Sequence, residues 1–463
     1  MKRAHYRRIA TLRQLTASAA PEIMRERGIG TCAKRNEKPV KPPPTAPPVR
    51  RILLASLIGT TIEFFDFYIY ATAAVLVFPI LFFPKQDPAT ATLQSFATFA
   101  LAFFARPIGS ALFGHFGDRI GRKATLVTAL LTMGLSTVFI GLLPTYASIG
   151  LWAAVLLALC RVGQGLGLGG EWGGAVLLAT ENAPPGKLAW YGSFPQLGAP
   201  IGFVCSSGLF LLLTTRLDNA QLLGWGWRAP FLASILLVAV GLYVRLQLVE
   251  TPAFALSVAH GERVRVPFLV VVTKYPRELI FGTLGAGTTF VVFYLMTVFG
   301  LNWATTALKF SRSEYLIMQM IGVLFFALTI PLSALLADRF GGRATLMLAT
   351  LALIAFGFAF EPLFGAHDTV RVFGFLALGF SLTGLTYGPL GSALAALFPT
   401  AVRYTGTSLT FNLAGILGAS AAPYIATRLA ASYGVASVGM YLSAAGVLSL
   451  VALLLLGPGR RTD

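Results

Sequence analysis

Charge is scarce in this sequence. Asp, Glu, Lys and Arg make up 12% of its 463 residues, about half of the roughly one quarter that covers a soluble domain. That shortage excludes an ordinary soluble enzyme or binding module of this length. Cysteine is nearly absent as well. Cys32, Cys160 and Cys205 form an odd set without metal-ligand spacing, which excludes a disulfide framework and leaves free thiols. No metal-ligand cluster, nucleophile–base pair or lysine-bearing phosphate loop is visible, so no cofactor or metal is called for.

Apolar residues fill the space. They account for 56% of the chain, the mean hydropathy is +0.74, and they come in long blocks with few or no charges, such as 52–83, 124–143, 231–244 and 436–456. A bilayer core needs roughly 20 apolar residues per helix. Breaks at charges, prolines and polar stretches predict helices over 52–82, 91–114, 124–143, 149–178, 188–214 and 228–248. A second set follows at 277–301, 313–336, 344–362, 369–395, 402–427 and 435–457. The expected fold is an all-α polytopic membrane protein of about twelve transmembrane helices in two pseudo-symmetric six-helix bundles.

The formal net charge of +18 would point to nucleic acid in a soluble protein. Here the excess sits in tails and short loops, as the positive-inside rule produces. Arg119, Arg122 and Lys123 share a side with Arg263, Arg265, Lys274, Arg339, Arg343 and Arg403. Intervening connections such as 143–150 are nearly free of Lys and Arg, so both termini are expected in the cytoplasm. Residues 1–49 read as a basic, proline-rich cytoplasmic tail without the apolar core of a secretory signal. An N-terminal bundle is expected over 50–249, a central linker over 250–275, a C-terminal bundle over 276–457, and a short cytoplasmic tail over 458–463. Trp225 and Trp227 fit an aromatic belt at the outer interface.

An internal repeat supports two halves. Gly117-Asp118-Arg119-Ile120-Gly121-Arg122-Lys123 follows the second span, and Ala337-Asp338-Arg339-Phe340-Gly341-Gly342-Arg343 follows the eighth. Tyr191-Gly192-Ser193 and Tyr404-Thr405-Gly406-Thr407 echo each other more weakly. Duplicated six-helix units predict such matches. In these loops glycine permits a tight turn, and the carboxylate can sit against a helix N-terminus or an arginine. Asp118, Arg119 and Arg122, with Asp338, Arg339, Arg343 and Arg403, are the expected conformational latch between the halves.

The loop Gly114-His115-Phe116-Gly117-Asp118-Arg119-Ile120-Gly121-Arg122-Lys123 resembles the major facilitator superfamily. Further stretches carry a closer resemblance to its metabolite:proton symporter family, the relatives of shikimate, alpha-ketoglutarate and proline or betaine permeases. They are Thr61-Ile62-Glu63-Phe64-Phe65-Asp66-Phe67-Tyr68, Phe104-Ala105-Arg106-Pro107-Ile108-Gly109 and Arg161-Val162-Gly163-Gln164-Gly165 running into Gly169-Gly170-Glu171-Trp172-Gly173-Gly174. Gly226-Trp227-Arg228-Ala229-Pro230-Phe231, Glu250-Thr251-Pro252-Ala253-Phe254 and Arg403-Tyr404-Thr405-Gly406 complete the set. The resemblance covers nearly all of 52–457 and implies alternating access with proton coupling. The second half departs from it at Gly342, where a basic residue is common, which implies a weaker latch there.

Glu63 and Asp66 are three apart on the first helix and share a face. Both lie more than ten residues in, near the bilayer midplane at ~1.5 Å per residue. An unpaired carboxylate there costs roughly 3 kcal/mol or more, so it must face a cavity or a cation. A site whose cation moves during a cycle can take and release a proton. Asp66 leads as the coupling carboxylate and Glu63 is the alternative; a permanent structural ion pair is the competing role. Arg106 and Arg161 reach similar depths, and each needs an anion: Glu63, Asp66 or a substrate carboxylate. The resemblance links Arg161 to proton coupling. Gln196, on a helix interrupted by Pro195 and Pro200, is a substrate contact candidate, as are Tyr68, Tyr294, Asn302, Tyr387 and Asn412. Gln319 is a further polar group of the second half. The glycines from Gly163 to Gly174 permit a close helix approach, and packing explains them.

Three readings follow. The first is import of a small organic acid or zwitterion by proton symport, with a small-molecule substrate, the proton and the bilayer as partners, in a bacterial-type inner membrane and as a monomer. The second keeps the fold but makes the protein an uncoupled facilitator or a proton-exchanging exporter. The third is an integral-membrane enzyme, which the short loops and missing catalytic clusters disfavour.

Overall fold

The computed structural model describes residues 49–120, 122–246, 266–399 and 402–456, and of 114–126 the backbone alone. Among the described residues ten helices are long and apolar enough to cross a membrane, and two shorter apolar helices join them. The first six are α1 (Val49–Leu76), α2 (Pro88–Ile120), α3 (Arg122–Leu142), α4 (Trp152–Glu181), α5 (Leu188–Arg216) and α6 (Arg228–Leu246). The second six are α7 (Pro276–Thr306), α8 (Arg312–Phe340), α9 (Gly342–Gly357), α10 (Thr369–Ala395), α11 (Arg403–Tyr433) and α12 (Val435–Leu456). No strand occurs among the described residues. The expected twelve-helix fold is present, with boundaries a few residues from those predicted.

Local chemistry sets the ends. Asp87 accepts the backbone N–H groups of Ala89 and Thr90, each at 3.1 Å, and so caps α2. Ser311 caps α8 through Glu314 N at 3.1 Å, and Asp368 caps α10 through Val370 N at 3.0 Å and Arg371 N at 3.1 Å. Each satisfies donors that a helix start leaves open. Gly341 closes α8 at φ 94°, a conformation that glycine adopts without strain, so α9 begins at the next residue. Within the predicted linker a short helix, Pro267–Lys274, precedes α7. The tail 1–49 up to residue 48, the linker from 250 to 265, and 458–463 lie outside the described residues.

The halves repeat one packing plan. Helix α1 packs on α5 as α7 packs on α11; α2 and α8 pack on α4 and α10; α3 and α9 pack on α6 and α12. The breaks repeat too. Helix α4 is interrupted at Gly169-Gly170 and α10 at Gly388-Pro389, while α5 breaks at Leu197 and α11 carries a π segment, Ile416–Ser420. Glycine brings the α2–α4 and α8–α10 pairs into backbone contact. A Cβ on Gly165 or Gly169 would strike the carbonyls of Ala102 and Arg106, and one on Gly384 or Gly388 those of Phe326 and Ile330. This is the small-residue helix packing expected in membranes.

Contacts between the halves run chiefly along α5–α8 and α2–α11. Outer helix faces expose apolar side chains such as Phe139, Leu236, Leu328 and Leu348, as a lipid-facing surface requires. Trp225 is exposed, but Trp227 is not a belt residue: it is fully buried against Phe78, Phe82 and Phe231. Arg228 stacks over its ring at 4.5 Å, so adjacent tryptophans have opposite surroundings.

Candidate functional site

Helix α1 carries two buried carboxyls toward different neighbours. Asp66 faces the interior of its own bundle. Ser234 on α6 donates to its Oδ1 at 2.6 Å, and Thr137 on α3 donates to its Oδ2 at 3.3 Å. Gln164 on α4 donates to the Thr137 hydroxyl at 2.8 Å, and Arg161 donates through Nη1 to Gln164 Oε1 at 2.9 Å. Arg161 and Asp66 are thus joined by a polar chain of two neutral side chains, not by direct contact. Arg161 also donates through Nε to Phe99 O at 3.3 Å. Its guanidinium lies 4.1 Å from the Tyr70 ring centre, 4.4 Å from that of Phe67 and 4.9 Å from that of Phe99. Cation–π attraction thereby stands in for a counter-ion.

Glu63 faces a second arginine. Its closest cationic influences are Arg106 on α2 and then Arg245 on α6, while its Oε2 is buried without a hydrogen-bond partner. Arg106 lies over Phe67 at 4.6 Å and over Phe103 at 5.0 Å. Phe67 is therefore flanked by both guanidiniums. Arg106 Nε and Arg161 Nη2 are also buried without hydrogen-bond partners. Among the described residues no ion pair within 4.0 Å joins Glu63 or Asp66 to either arginine.

The second bundle contributes tyrosines. Tyr294 lies within electrostatic reach of Arg106, Arg161 and Glu63, and Tyr68 within reach of Tyr294, Tyr387, Arg106 and Glu63. The Tyr387 hydroxyl is buried with the Trp172 indole beside it. Tyr68, Tyr294 and Tyr387 thus converge with the charged groups. Gln196 is committed at both ends of its amide, accepting from Trp172 Nε1 and donating to Tyr387 O, each at 2.9 Å. Asn302 instead lines a vestibule of about 750 Å³ between the bundles, with Thr92, Thr214, Asn219 and Arg312. Asn412 braces the halves, donating to Ser110 Oγ and Gly169 O, each at 2.9 Å. Gln319 donates at 2.9 Å to Met296 O and to Thr297 O, carbonyls within the π segment Leu295–Phe299 of α7.

The vestibule opens at the end opposite the basic loops, and at the basic end contacts cross between the halves beside a second cavity of about 710 Å³ lined by Ala189, Asp338 and Gly341. There Asp338 accepts from Ala189 N at 2.8 Å and Trp190 N at 2.9 Å, across the two halves. Tyr404 donates to Gly170 O, and Trp172 stacks on Phe411 with centroids 3.4 Å apart. The other basic residues of the predicted latch stay within their own half. Arg343 donates to Leu453 O at 2.7 Å and Leu454 O at 3.0 Å, Arg403 donates to Phe398 O at 3.2 Å, and Arg339 lies 5.1 Å over Phe340. Asp118 and Arg119 lie in the last turn of α2 and Arg122 begins α3, and their side chains are outside what the structure describes.

One pair was not singled out from sequence. Glu171, at the start of the lower segment of α4, and Arg245, in the last turn of α6, form a buried ion pair. Arg245 reads in sequence as one more positive charge at a helix end. Gln164 was not singled out either, although it follows Arg161 by three residues and shares its face.

Comparison with known proteins decides the family. Residues 52–266 match the family described as "Sugar (and other) transporter". The inner membrane metabolite transport protein YhjE of Escherichia coli K12 is 58% identical over 410 residues, covering 88% of this chain and 93% of that one. The chain belongs to the major facilitator superfamily, among its metabolite transporters. The E. coli K12 shikimate transporter is 35% identical over 422 residues, covering 89% of this chain and 95% of that one. The proline/betaine transporter of the same strain is 34% identical over 417 residues, covering 87% and 82%. Among solved structures, the major facilitator proton:xylose symporter XylE bound to 6-bromo-6-deoxy-D-glucose superposes with a TM-score of 0.69. It has 16% identity and covers 89% of this chain and 96% of that one. At that identity it speaks for the major facilitator fold alone. The relatives are transporters, so the membrane-enzyme reading falls away.

Proposed function

We propose that this major facilitator protein imports a small organic acid or zwitterionic metabolite together with protons by alternating access. Both termini and the basic loops face the cytoplasm in this reading, and the single chain works as a monomer in a bacterial-type inner membrane. In this reading the vestibule faces the outside, and the contacts of Asp338 and Tyr404 across the halves lie on the cytoplasmic side.

One observation carries the proposal. Glu63 Oε2, Arg106 Nε and Arg161 Nη2 are buried polar atoms without partners. Buried polar groups are normally satisfied, so three orphaned charged ones close together call for an explanation, and a bound substrate supplies it. A substrate carboxylate suits the guanidiniums, and its arrival at Arg106 takes over the cation that otherwise neutralises Glu63. A carboxyl of α1, Asp66 or Glu63, then holds a proton, so anion and proton enter together. The substrates that two relatives are named for, shikimate and proline or betaine, support the same class: small molecules carrying a carboxylate. Tyr68, Tyr294 and Tyr387 are the proposed uncharged contacts.

The test is transport in proteoliposomes under an imposed inward proton gradient, with labelled organic acids, betaines and amino acids as substrates. Proton-driven accumulation of one class is the expected result, lost in Asp66→Asn or Glu63→Gln while exchange survives. A second reading has an observation of its own. Both Asp66 oxygens already accept from hydroxyls, as a purely structural carboxyl would. Downhill flux that no proton gradient can drive uphill would favour an uncoupled facilitator and retire the symport reading.

A further inference from the structure

The Glu171–Arg245 pair lies where the first bundle touches the second. It borders a small cavity of about 60 Å³ lined by Ser56, Gly59 and Thr60 of α1, Gly174 of α4 and Gly241 of α6. Gly59 is one helical turn before Glu63, and a Cβ there would lie 3.9 Å from Arg245 Nη2. Arg245 therefore stands between two carboxylates, bonded to Glu171 and within electrostatic reach of Glu63. It is also within reach of Tyr404 on α11. Tyr404 is seated on the α4 segment that Glu171 begins: its hydroxyl donates to Gly170 O, and its ring would lie 3.3 Å from a Cβ on Gly174. Ser408, one turn further along α11, fills the space beside Gly173.

We infer that Arg245 relays the charge state of Glu63 to the seam at the basic end. With Glu63 neutral, Arg245 belongs to Glu171 and fixes the α4 segment as a seat for Tyr404 and Ser408. With Glu63 ionised, the two carboxylates compete for one guanidinium, the pair with Glu171 weakens, and the seat loosens. Coupling of this kind is reciprocal: opening the seam also favours release of the proton toward the basic end. Glu171 and Arg245 are positioning residues here. The groups that face Glu63 are Arg106 from α2, Arg245 from α6, Tyr68 from α1, Tyr294 from α7 and Tyr387 from α10. Of these, only Arg245 also reaches the seam through Glu171. The inference rests on the reading that a carboxyl of α1 takes up the coupling proton, and it assigns to Glu63 the contact with the gate.

The experiment measures labelling of Ser408→Cys by a water-soluble maleimide in detergent-solubilised protein, with the native cysteines replaced by serine. Rates are normalised to an exposed reference cysteine, Ser432→Cys. Normalised labelling is expected to be about fivefold or more faster in mildly alkaline than in mildly acidic buffer, the lower range of allosteric couplings. Glu63→Gln is expected to label slowly at both pH values, and Glu171→Gln and Arg245→Gln quickly at both. Should the last two give no monodisperse protein, Arg245→Lys is read instead and must keep the pH response. A pH-independent rate in the parent, or an unchanged pH response in Glu171→Gln and Arg245→Gln, overturns the inference. Proton-driven uptake by the same proteins separates the two claims. Labelling that responds to pH without any proton-driven accumulation sinks the symport reading and leaves the relay standing.

Discussion

Asp338 and Trp190 are separated by 148 positions in sequence, yet the carboxylate of one accepts the backbone N–H of the other at 2.9 Å. Ala189 N, at 2.8 Å, completes the contact. These are donors from the first turn of α5, where the helix dipole concentrates partial positive charge. An anion from the second half thus caps a helix of the first. The cap exists only while the basic end is closed, because Asp338 and α5 belong to different bundles.

Removing that cap should open the basic end. Loss of an N-capping side chain costs about 1–2 kcal/mol, which shifts a two-state equilibrium by roughly 5–30-fold. In Asp338→Ala, a cysteine at buried Ala189 should therefore react with an impermeant maleimide faster by about that factor. Asp338→Asn, which keeps an acceptor oxygen, should give a smaller shift. Equal reactivity in all three proteins would mean that other seam contacts hold the end closed unaided.

Asp66 and Glu63 should differ in what their loss does. Asp66 bridges α3 and α6 through Thr137 and Ser234, so Asp66→Asn should lower stability only slightly, since an amide keeps one acceptor. Its proton-driven accumulation should fall about a hundredfold or more, the scale of one lost proton-transfer group, with exchange preserved. Ser234→Ala, which removes the 2.6 Å bond alone, should move the pH profile of uptake without abolishing it. An unaltered profile would take Ser234 out of the coupling path.

Arg161 should not be replaceable by lysine. Its planar guanidinium serves Gln164 and Phe99 O while lying against three aromatic rings, an arrangement that an ammonium cannot reproduce. Arg161→Lys keeps the charge but should reduce transport about tenfold or more, as loss of roughly 1–2 kcal/mol of stacking and hydrogen bonding implies. Gln164→Leu leaves the arginine in place and breaks the chain to Thr137; it should reproduce the loss of proton coupling. Normal uptake by Gln164→Leu would make the chain a packing feature only.

Most of the fold was legible because the bilayer imposes it. Apolar runs of this length read as helices, and the Asp338 loop announced the duplication. Glu63, Asp66, Arg106 and Arg161 were legible for the same reason, since charge at that depth needs a function. The partners were not. Arg161 meets Asp66 through Gln164 and Thr137, side chains of α4 and α3 that nothing in the α1 motif names. Asn412 reads as a cavity-lining amide, yet the break at Gly169 frees a carbonyl that it satisfies across the seam. Arg245 was hidden by its place among loop charges, although its helix turns it inward against Glu171.

The glycine seams offer the sharpest test of the packing itself. On α4, Gly169 faces the Arg106 carbonyl, and a Cβ there would meet that backbone oxygen and Ser110 N. Backbone on a neighbouring helix cannot rotate away as a side chain can, so Gly169→Ala must push α2 and α4 apart. Such overpacking costs about 1–3 kcal/mol, and here it would also displace Arg106 and the carbonyl that receives Asn412. Gly388→Ala, which meets the Ile330 carbonyl at the matching place on α10, should destabilise the second bundle by a similar amount. Gly174→Ala is the control, since its nearest obstacle at 3.3 Å is the Tyr404 ring, a side chain that can yield. Thermal denaturation in detergent should rank Gly169→Ala and Gly388→Ala together, several degrees below the parent, with Gly174→Ala close to it. If Gly174→Ala were the least stable, the α4–α11 seam would be the rigid element and the α2–α4 and α8–α10 pairs the compliant ones.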